Sequence, residues 1–444
     1  QMALGILGFG EIVDITPSAA ISGMLAAVGL TIIGTQFHAI LGVSMDFGNA
    51  LDCLASIPHS LQGLNPIVTG IGLVAAIVLF LHQRLDYTAV KLLPAPIWII
   101  LFCIPFVYYF NFFETHTISW GVSSVEVGPA FLVDLPGDWR EYWSQPNFGK
   151  LGEFRFWLVA LSIVVISTIE TLVSAKVVDK VDPMERHTNL NRELFAVGLS
   201  TVISGGLGGL PVISAIPVYN GAKTKWSNLY YGLFLTIFVL LFAGVIHLIP
   251  LAALAVLLVY TGYQLASPTI WVETYRKGDD QFLIFLTTLV STLVYGLLIG
   301  AIVGILTTLF VHYVKSNLTR QQFFSYLIKP SIEVERTENV KELFIRLNGI
   351  VNFINIPSLK RVLRQNAKKE RHIIVDLSHT RLADYTVLEY LQDEAPVYDL
   401  RGVTFEIVGL GAHDATSRHP NATRILPDDK KPQLNQRQTA LKEL

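Results

Sequence analysis

The sequence predicts an α-helical, polytopic membrane protein that carries a soluble α/β domain towards its C-terminal end. Three observations support this fold class. Of the 444 residues, 52% are hydrophobic and only 15% are charged, whereas about 25% of a soluble domain is charged. The apolar residues fall into runs of about 20, the length of a helix that crosses a bilayer. From about Ile332 onward, strand-like segments alternate with helical patterns, which is typical of an α/β domain.

Charge and cysteine content exclude several classes of protein. The net charge of −2 argues against a polyanionic partner, so we expect no nucleic acid. Cys53 and Cys103 are too few for a disulfide framework. No phosphate loop of the type G-x-x-x-x-G-K-[ST] is present, and the glycine run at 205–209 lacks the strand–helix setting of a dinucleotide site. We therefore expect no cofactor and no enzymatic activity.

The first third of the chain contains three apolar runs, at 18–41, 66–82 and 94–113. The first is rich in glycine and alanine, which allow close helix packing in lipid. The third ends in the aromatic cluster YYFNFF, which is typical of a membrane interface. Between the first two runs, 42–65 is predicted to be a loop or a short surface helix. The polar segment 114–155 is predicted to be an extended loop.

The next run, 156–175, contains a single carboxylate, Glu170. A charged residue near the centre of a membrane helix costs about 2.5–3.5 kcal/mol, so such residues usually face a cavity or a partner. One interpretation is a structural carboxylate that is neutral or paired with a neighbouring helix, and the other is a functional group. Hydroxyls on this helix are expected to serve packing, while Thr168 or Thr171 could also line a pocket.

The segment 194–216 is apolar but broken by glycines and by Pro211, so a continuous helix there would be costly. Interrupted segments at membrane depth are tolerated where they line a cavity, and in transporters they mark the binding site. The competing interpretation is two short helices joined by a glycine turn. Further spans are predicted at 230–249, 251–266, 281–297 and 298–314.

Loop charges predict the orientation, because cytoplasmic loops carry an excess of Lys and Arg. If the 83–93 loop is cytoplasmic, that side holds nine basic residues: Arg84, Lys91, Lys180, Arg186, Arg192, Lys223, Lys225, Arg276 and Lys277. The opposite side holds only three: Arg140, Lys150 and Arg155. The asymmetry places the C-terminal region in the cytoplasm.

The C-terminal region contains a complete strand–helix alternation. Strands are predicted in ELFIRLNGIVNF, HIIVDLS and VTFEIVGL, and helices in PSLKRVLRQNA and TVLEYLQDEAPVY. We expect 332–427 to fold on its own, and the polar tail 428–444 to be disordered. His413, Asp414 and His419 lack the regular ligand geometry of a metal site, so no metal is predicted.

At two places the chain resembles a known family. The segment ETLVSAKVVDKVDPMERHTNLNRELFAVGLSTVISGGLGGLP is similar to the signature of SulP proteins, the solute carrier family 26 anion transporters. DLSHTRLADYTVLEYL and SRHPNATRIL resemble the STAS domain that follows them. The resemblance implies a fold of inverted repeats within a transporter domain at 1–315. Core helices at 156–249 would move against gate helices at 18–113 and 251–314, and the STAS domain would occupy 332–427.

The resemblance also implies a function. It points to secondary active transport of small anions of the sulfate, bicarbonate or dicarboxylate type, by alternating access and with a proton or sodium as the coupling ion. We expect a homodimer that crosses the cell membrane several times. The alternative is a non-transporting membrane scaffold whose STAS domain recruits a regulatory partner.

Carried over by position, the resemblance also assigns site residues. Glu170 matches an acid placed beside the substrate pocket, where it is thought to hold the coupling ion. Ser214 matches a position near a half-helix whose N-terminus faces the anion, and free N–H groups and the helix dipole favour an anion there. For the signature-loop residues Asn189, Asn191 and Arg192, a structural role and a functional role are both open.

The chain departs from the family pattern in three ways. About four N-terminal spans that the family has are not matched, so we expect these 444 residues alone to insert into a membrane but not to transport. After Pro211 the chain is shorter than is typical and lacks an Arg-Ser-Ser stretch. In soluble relatives of the STAS domain a phosphorylatable Ser follows an Asp. Here Tyr385 follows Asp384, and Thr386 is a weak substitute.

Overall fold

The computed structural model describes most of the chain. The described residues are 1–10, 15–43, 48–120, 123–134, 146–182, 188–209, 218, 221–328, 331–337, 342–366, 371–399 and 402–427. They form two compact units. The first unit contains the described residues of Gln1–Gly10, Ala26–Ala266 and Leu293–Gly296, and the second contains the described residues of Glu11–Leu25, Ser267–Thr292 and Leu297–Leu444.

The first unit is built mainly of helices. They are α1 (Met2–Ile6), α2 (Ser18–Leu41, from Ala26 onward), α3 (Ala50–Ala55), α4 (Ile57–Gln62), α5 (Pro66–Arg84), α6 (Thr88–Lys91), α7 (Ala95–Tyr109), α8 (Phe154–Val181), α9 (Leu190–Gly206), α10 (Trp226–Ile246) and α11 (Leu251–Leu265). One core lies between α5, α7 and α11, where Ile71, Ile99 and Ala253 are buried. Asn65 caps the N-terminus of α5: its side chain accepts hydrogen bonds from Ile67 N and Val68 N at 3.1 and 3.3 Å and so satisfies free helix donors.

Within the described residues, six stretches are helical, long and apolar enough to cross a membrane. They are Ser18–Leu41, Pro66–Arg84, Phe154–Lys176, Trp226–Ile246, Leu251–Lys277 and Leu297–Ser316. The fifth stretch is interrupted just before Pro268, where α11 gives way to the next helix. Helix α10 is apolar on nearly all sides but has no residue buried against the described protein, as expected of a helix that is surrounded by lipid.

The segment 114–155 is not only loop. It contains an antiparallel hairpin of β1 (His116–Trp120) and β2 (Ser123–Val127), so the prediction of an extended loop is wrong here. The two five-residue strands pair, and Val127 is fully buried in the core of the first unit. The hairpin is also tied to the start of α5, because Asn65 Nδ2 donates a hydrogen bond to Glu126 O at 2.7 Å.

Helices α2 and α11 approach so closely that their backbones touch at two glycines. A Cβ atom added to Gly29 would lie 2.5 Å from Gly262 O, and one added to Gly262 would lie 2.7 Å from Gly29 O. Both values are below the distance that real side chains show, and the opposing atoms are backbone. Glycine therefore permits the small interhelical distance, as small residues do in membrane helices generally.

We expect the substitution Gly262→Ala to lower stability, although alanine is the better helix former by about 1 kcal/mol. The added methyl must push α2 and α11 apart, and overpacking of this kind costs about 1–3 kcal/mol. The measurement is the apparent melting temperature in detergent. Gly232→Ala in α10 is the matched control, because its Cβ meets nothing within 4 Å. Equal melting temperatures for the two variants would contradict the close contact.

The second unit combines helices with a mixed sheet. Its helices are the first part of α2, α12 (Pro268–Lys277), α13 (Asp279–Tyr295, to Thr292), α14 (Leu297–Ser316), α15 (Arg320–Ile328), α16 (Ile356–Asn366) and α17 (Tyr385–Asp399). Its strands are β3 (Ser331–Thr337), β4 (Glu342–Val351), β5 (His372–Asp376), β6 (Thr380–Ala383), β7 (Thr404–Val408), β8 (Asp414–Ala415) and β9 (Arg424–Ile425). The sheet runs in the order β7-β5-β4-β6-β9-β8, and β3 pairs with β4.

Strand β4 is the centre of this sheet. It pairs in parallel with β5 and β6 and antiparallel with β3. Alternate residues of β4 are buried, as in a strand with one face on a core. At Gly349 the register shifts and φ is +76°. A side chain there would collide with the Tyr326 ring at 2.4 Å, so this bulge requires glycine.

Sequence and structure agree on the fold class, an α-helical membrane protein with an α/β domain. The three strands and two helices predicted for the C-terminal region correspond to β4, β5, β7, α16 and α17. The sequence did not predict β3 or the short strands β6, β8 and β9, nor helix α12. The tail 428–444 lies outside the described residues, and the boundaries of the domains stay predictions.

Candidate functional site

Glu170 lies in α8, which is long and apolar enough to cross a membrane. Its side chain is exposed. Within the described residues, its carboxylate has no hydrogen bond or ion pair with another side chain. Around it the helix surface is apolar, with Leu161 and Ile163 each more than 60% exposed. A carboxylate on such a surface is expensive in lipid, so the position suits a residue that meets water, an ion or a partner.

Thr168 and Thr171 lie on a different side of α8. Both are buried, together with Leu172, as expected for residues three and four apart on one helix face. At about 100° per residue, Glu170 is displaced by about 100° from Thr171 and about 160° from Thr168. Thr171 Oγ1 donates to Ser167 O at 2.6 Å, whereas Thr168 Oγ1 has no hydrogen-bond partner in the described chain. The structure therefore does not bring the two threonines to the carboxylate.

The signature loop is tied to the first ten residues of the chain. The Asn189 side chain caps α9 by accepting from Arg192 N at 3.1 Å. The Asn191 side chain accepts from Gly10 N at 2.6 Å. A Cβ atom on Gly5 would lie 2.7 Å from Asn191 O, so α1 and α9 are in close contact. These contacts favour a structural role for both asparagines, while the Arg192 side chain is exposed.

Ser214, the remaining predicted site residue, lies outside the described residues, as does Pro211. Helix α9 ends at Gly206, inside the glycine run, and Leu207 follows in a non-helical conformation. The predicted break in the apolar segment is therefore present on its N-terminal side. What the sequence did not indicate is the way α1 packs on α9, which depends on Gly5, Gly10 and Gly198 and not on apolar periodicity.

The first unit also has an open cleft of about 660 Å³ beside the hairpin. Its lining is largely apolar and includes Phe113, Leu132 and Leu251, with Asp134 and His247 as its titratable side chains. None of the predicted site residues lines it. The carboxylate of Asp134 disfavours an anion there, so we do not assign this cleft to substrate.

His413 in the second unit is a structural residue. It is buried, and its Nε2 is 2.6 Å from Thr380 O, which accepts a hydrogen bond. Burial, the largest effect, lowers the pKa of the imidazole below its ordinary value, because it disfavours the charged form. Across the described ranges, no group of three or more His, Cys, Asp or Glu side chains is placed to hold a metal ion.

Comparison with protein families gives two matches. The sequence model of the sulfate permease family matches residues 1–288, which is more than half of the chain. The model of the STAS domain matches residues 331–418. The first match covers α8, the signature loop and α9, and the second covers β3 to β8.

Individual relatives are distant. The chain is 22% identical over 311 residues to the bicarbonate transporter BicA of Synechocystis sp., which covers 69% of this chain and 52% of the relative. It is 23% identical over 394 residues to testis anion transporter 1 of Mus musculus, which covers 82% of this chain and 37% of the relative. The chain thus spans about half, or less, of the length of these curated relatives.

The fold is also similar to solved structures. The structure of SLC26A9 superposes with a TM-score of 0.58 at 14% sequence identity, covering 91% of this chain and 67% of that one. At such low identity the likeness shows the fold alone. It supports the helical membrane part together with the α/β domain, and it leaves the roles of individual side chains to be argued from chemistry.

Proposed function

The chain belongs to the sulfate permease family, and on that premise we propose that it is part of a secondary transporter for small anions. The family is one of membrane-spanning transporters and not of enzymes. The observation that carries the proposal is the family match over residues 1–288, to which the relatives named as bicarbonate and anion transporters add support. The substrate class we propose is an inorganic or organic anion of the sulfate, bicarbonate or dicarboxylate type.

Glu170 is proposed as the residue that binds the coupling cation. It is a carboxylate in an otherwise apolar helix and is free of internal partners in the described chain. A proton or a sodium ion would neutralise it, which removes most of the cost of holding a charge at that depth. Glu170 would therefore be neutralised by the cation each time the transporter moves its substrate across the membrane. This is the physical basis of the proposed symport.

For the anion we propose a site that includes Ser214 and the N-terminus of a half-helix. Anions need compensating positive charge in a membrane, and backbone N–H groups at a helix start supply it without a buried lysine. Thr168 and Thr171 are retained only as positions that could line the pocket in another conformation, because both side chains are buried in this structure. Alternating access, with 156–249 as core, and a homodimeric assembly with a cytoplasmic C-terminal domain complete the proposal.

The test is uptake of labelled anions into liposomes. Sulfate, bicarbonate and a dicarboxylate should each be offered to liposomes that contain either this chain or the product of the complete gene, with empty liposomes as the control. We expect saturable uptake of at least one anion by the complete gene product. If that protein is inserted and folded but moves none of them, the transport proposal is wrong, and a scaffold that recruits a partner through its STAS domain becomes the better explanation.

A further inference from the structure

Three consecutive residues of the second unit contact three different helices. They are Asp384, Tyr385 and Thr386, which we call the 384–386 segment, at the start of α17. Their partners are His312 in α14, Lys277 in α12 and Ser18 in α2. Each of these partners lies within a stretch that is long and apolar enough to cross a membrane. One short segment of the α/β domain therefore meets three such stretches.

The contact between Asp384 and His312 is the most buried of the three. Asp384 Oδ1 lies 3.3 Å from His312 Nε2, and the two side chains are 1% and 0% exposed. The two atoms lie at ion-pair distance, and neither side chain forms a hydrogen bond within the described residues. A carboxylate or imidazole that is removed from water without a partner is costly. Each of these groups therefore depends on the other, and removing one leaves the other isolated in the interior.

The two flanking residues add contacts with different chemistry. Lys277 Nζ lies 4.7 Å from the centre of the Tyr385 ring, within the range of a cation–π interaction. Thr386 Oγ1 accepts a hydrogen bond from Ser18 N at 3.3 Å and lies 3.4 Å from Ser18 Oγ. The helix start that soluble relatives would use for a phosphorylated side chain is thus occupied by contacts with helices α12 and α2.

A separate part of the α/β domain, the loop between β8 and β9, also contacts the C-terminal end of α12. Ser417 Oγ donates to Lys277 O at 2.8 Å, and Thr423 Oγ1 donates to Asp280 Oδ2 at 2.8 Å. The turn between α12 and α13 is therefore held by the loop and, through Lys277, by the 384–386 segment. The two sets of contacts come from separate parts of the α/β sequence. Together they fix the orientation of the α12–α13 turn relative to the α/β domain as well as its distance from it.

We propose that the 384–386 segment is the docking site through which the α/β domain positions helices α2, α12 and α14, with Asp384 and His312 at its centre. The effect on transport rests on the proposed function, whereas the docking itself does not. Asp384 and His312 are positioning residues and would not touch the anion. Their loss should therefore lower the maximal rate of transport by about tenfold while the KM for the anion changes by less than about twofold.

The docking is tested by a disulfide that does not depend on transport. In a double variant Ser18→Cys, Thr386→Cys of the complete gene product, mild oxidation should form an intramolecular cross-link, because the two side-chain oxygens lie 3.4 Å apart. Each single cysteine variant is the control, since the native Cys53 and Cys103 are buried. The absence of any cross-link in a folded double variant would overturn the proposal.

The central pair is then removed on this cross-linking background. His312→Ala and Asp384→Ala should each lower the rate of cross-linking by about threefold or more, and both together by no more than either alone, because they break one shared contact. His59→Ala and Asp399→Ala, two exposed positions, should leave the rate unchanged. Rates as fast as the parent for the central pair would overturn the proposal.

Three further outcomes can be distinguished. If the alanine variants do not fold, His312→Gln and Asp384→Asn keep the volume, and the same comparison of cross-linking rates decides the proposal. If the disulfide behaves as expected but the protein moves no anion, the docking site stands and the proposed transport function fails. If transport is observed and the His312 and Asp384 variants keep its full rate, the positioning role is wrong.

Discussion

Replacing Glu170 with glutamine is expected to abolish the dependence of anion uptake on pH or sodium while the protein remains folded and inserted. Glutamine has nearly the same volume but can neither bind a proton nor neutralise a sodium ion. The substitution also removes the cost of a charge in an apolar helix, so stability should be equal or higher. Coupling through one carboxylate changes uptake at most about tenfold per pH unit, and the variant should show a flat profile instead.

The control for this experiment is Glu153→Gln at the start of the same helix. Glu153 is exposed, precedes the apolar run and contacts Lys150 at 3.1 Å, so it has no reason to couple to transport. Uptake should be measured in liposomes at several pH values, with and without sodium, for both variants and the parent protein. Uptake by Glu170→Gln that still responds to the same cation as the parent would contradict the assignment of Glu170.

The position of Glu170 along α8 was readable from the sequence, but its direction was not. A membrane helix that is apolar on every side gives no amphipathic pattern from which its buried face can be inferred. Only the structure shows that Thr168 and Thr171 face inward and that Glu170 is exposed. The assumption that neighbouring polar residues share a site therefore fails for α8, because residues two apart point to nearly opposite sides.

His312 shows a second limit of the sequence. The reasoning that singles out Glu170 applies equally to a histidine inside the run 298–314, but the partner of His312 is a carboxylate far along the sequence, in the α/β part of the same unit. The sequence drew attention to Asp384 only for its place beside a missing serine. By contrast, strands such as β4 and β5 were predictable, because their alternation and apolar content depend on local burial in one sheet.

A large loss of stability is expected from Asp280→Asn in the second unit. Asp280 is buried, accepts a hydrogen bond from Thr423, and has its Oδ1 atom 3.4 Å from Lys315 Nζ. Asparagine keeps the size but leaves the ammonium of Lys315 without its counter-charge. Losing one partner of a buried pair costs about 3 kcal/mol at the lower end of the usual range, which fits here because 29% of the Lys315 side chain is still exposed.

The pH dependence of this loss follows from the charge of Asp280, which precedes the predicted span 281–297. Burial alone would raise the pKa of its carboxyl, but Lys315 and the hydrogen bonds from Thr423 and Gln281 outweigh it and hold the pKa below the ordinary value. The stabilisation is therefore complete above about pH 4, the pKa of an unfolded Asp, and is lost as the pH falls through the folded value.

The difference in apparent melting temperature between the parent and Asp280→Asn should stay constant from about pH 8 to 5 and shrink below about pH 4. Asp279→Asn, at the exposed neighbouring position, should melt at the same temperature as the parent at every pH. If the melting temperature of Asp280→Asn stays equally far below that of the parent in acid, the charge of Asp280 is not the source of the stability.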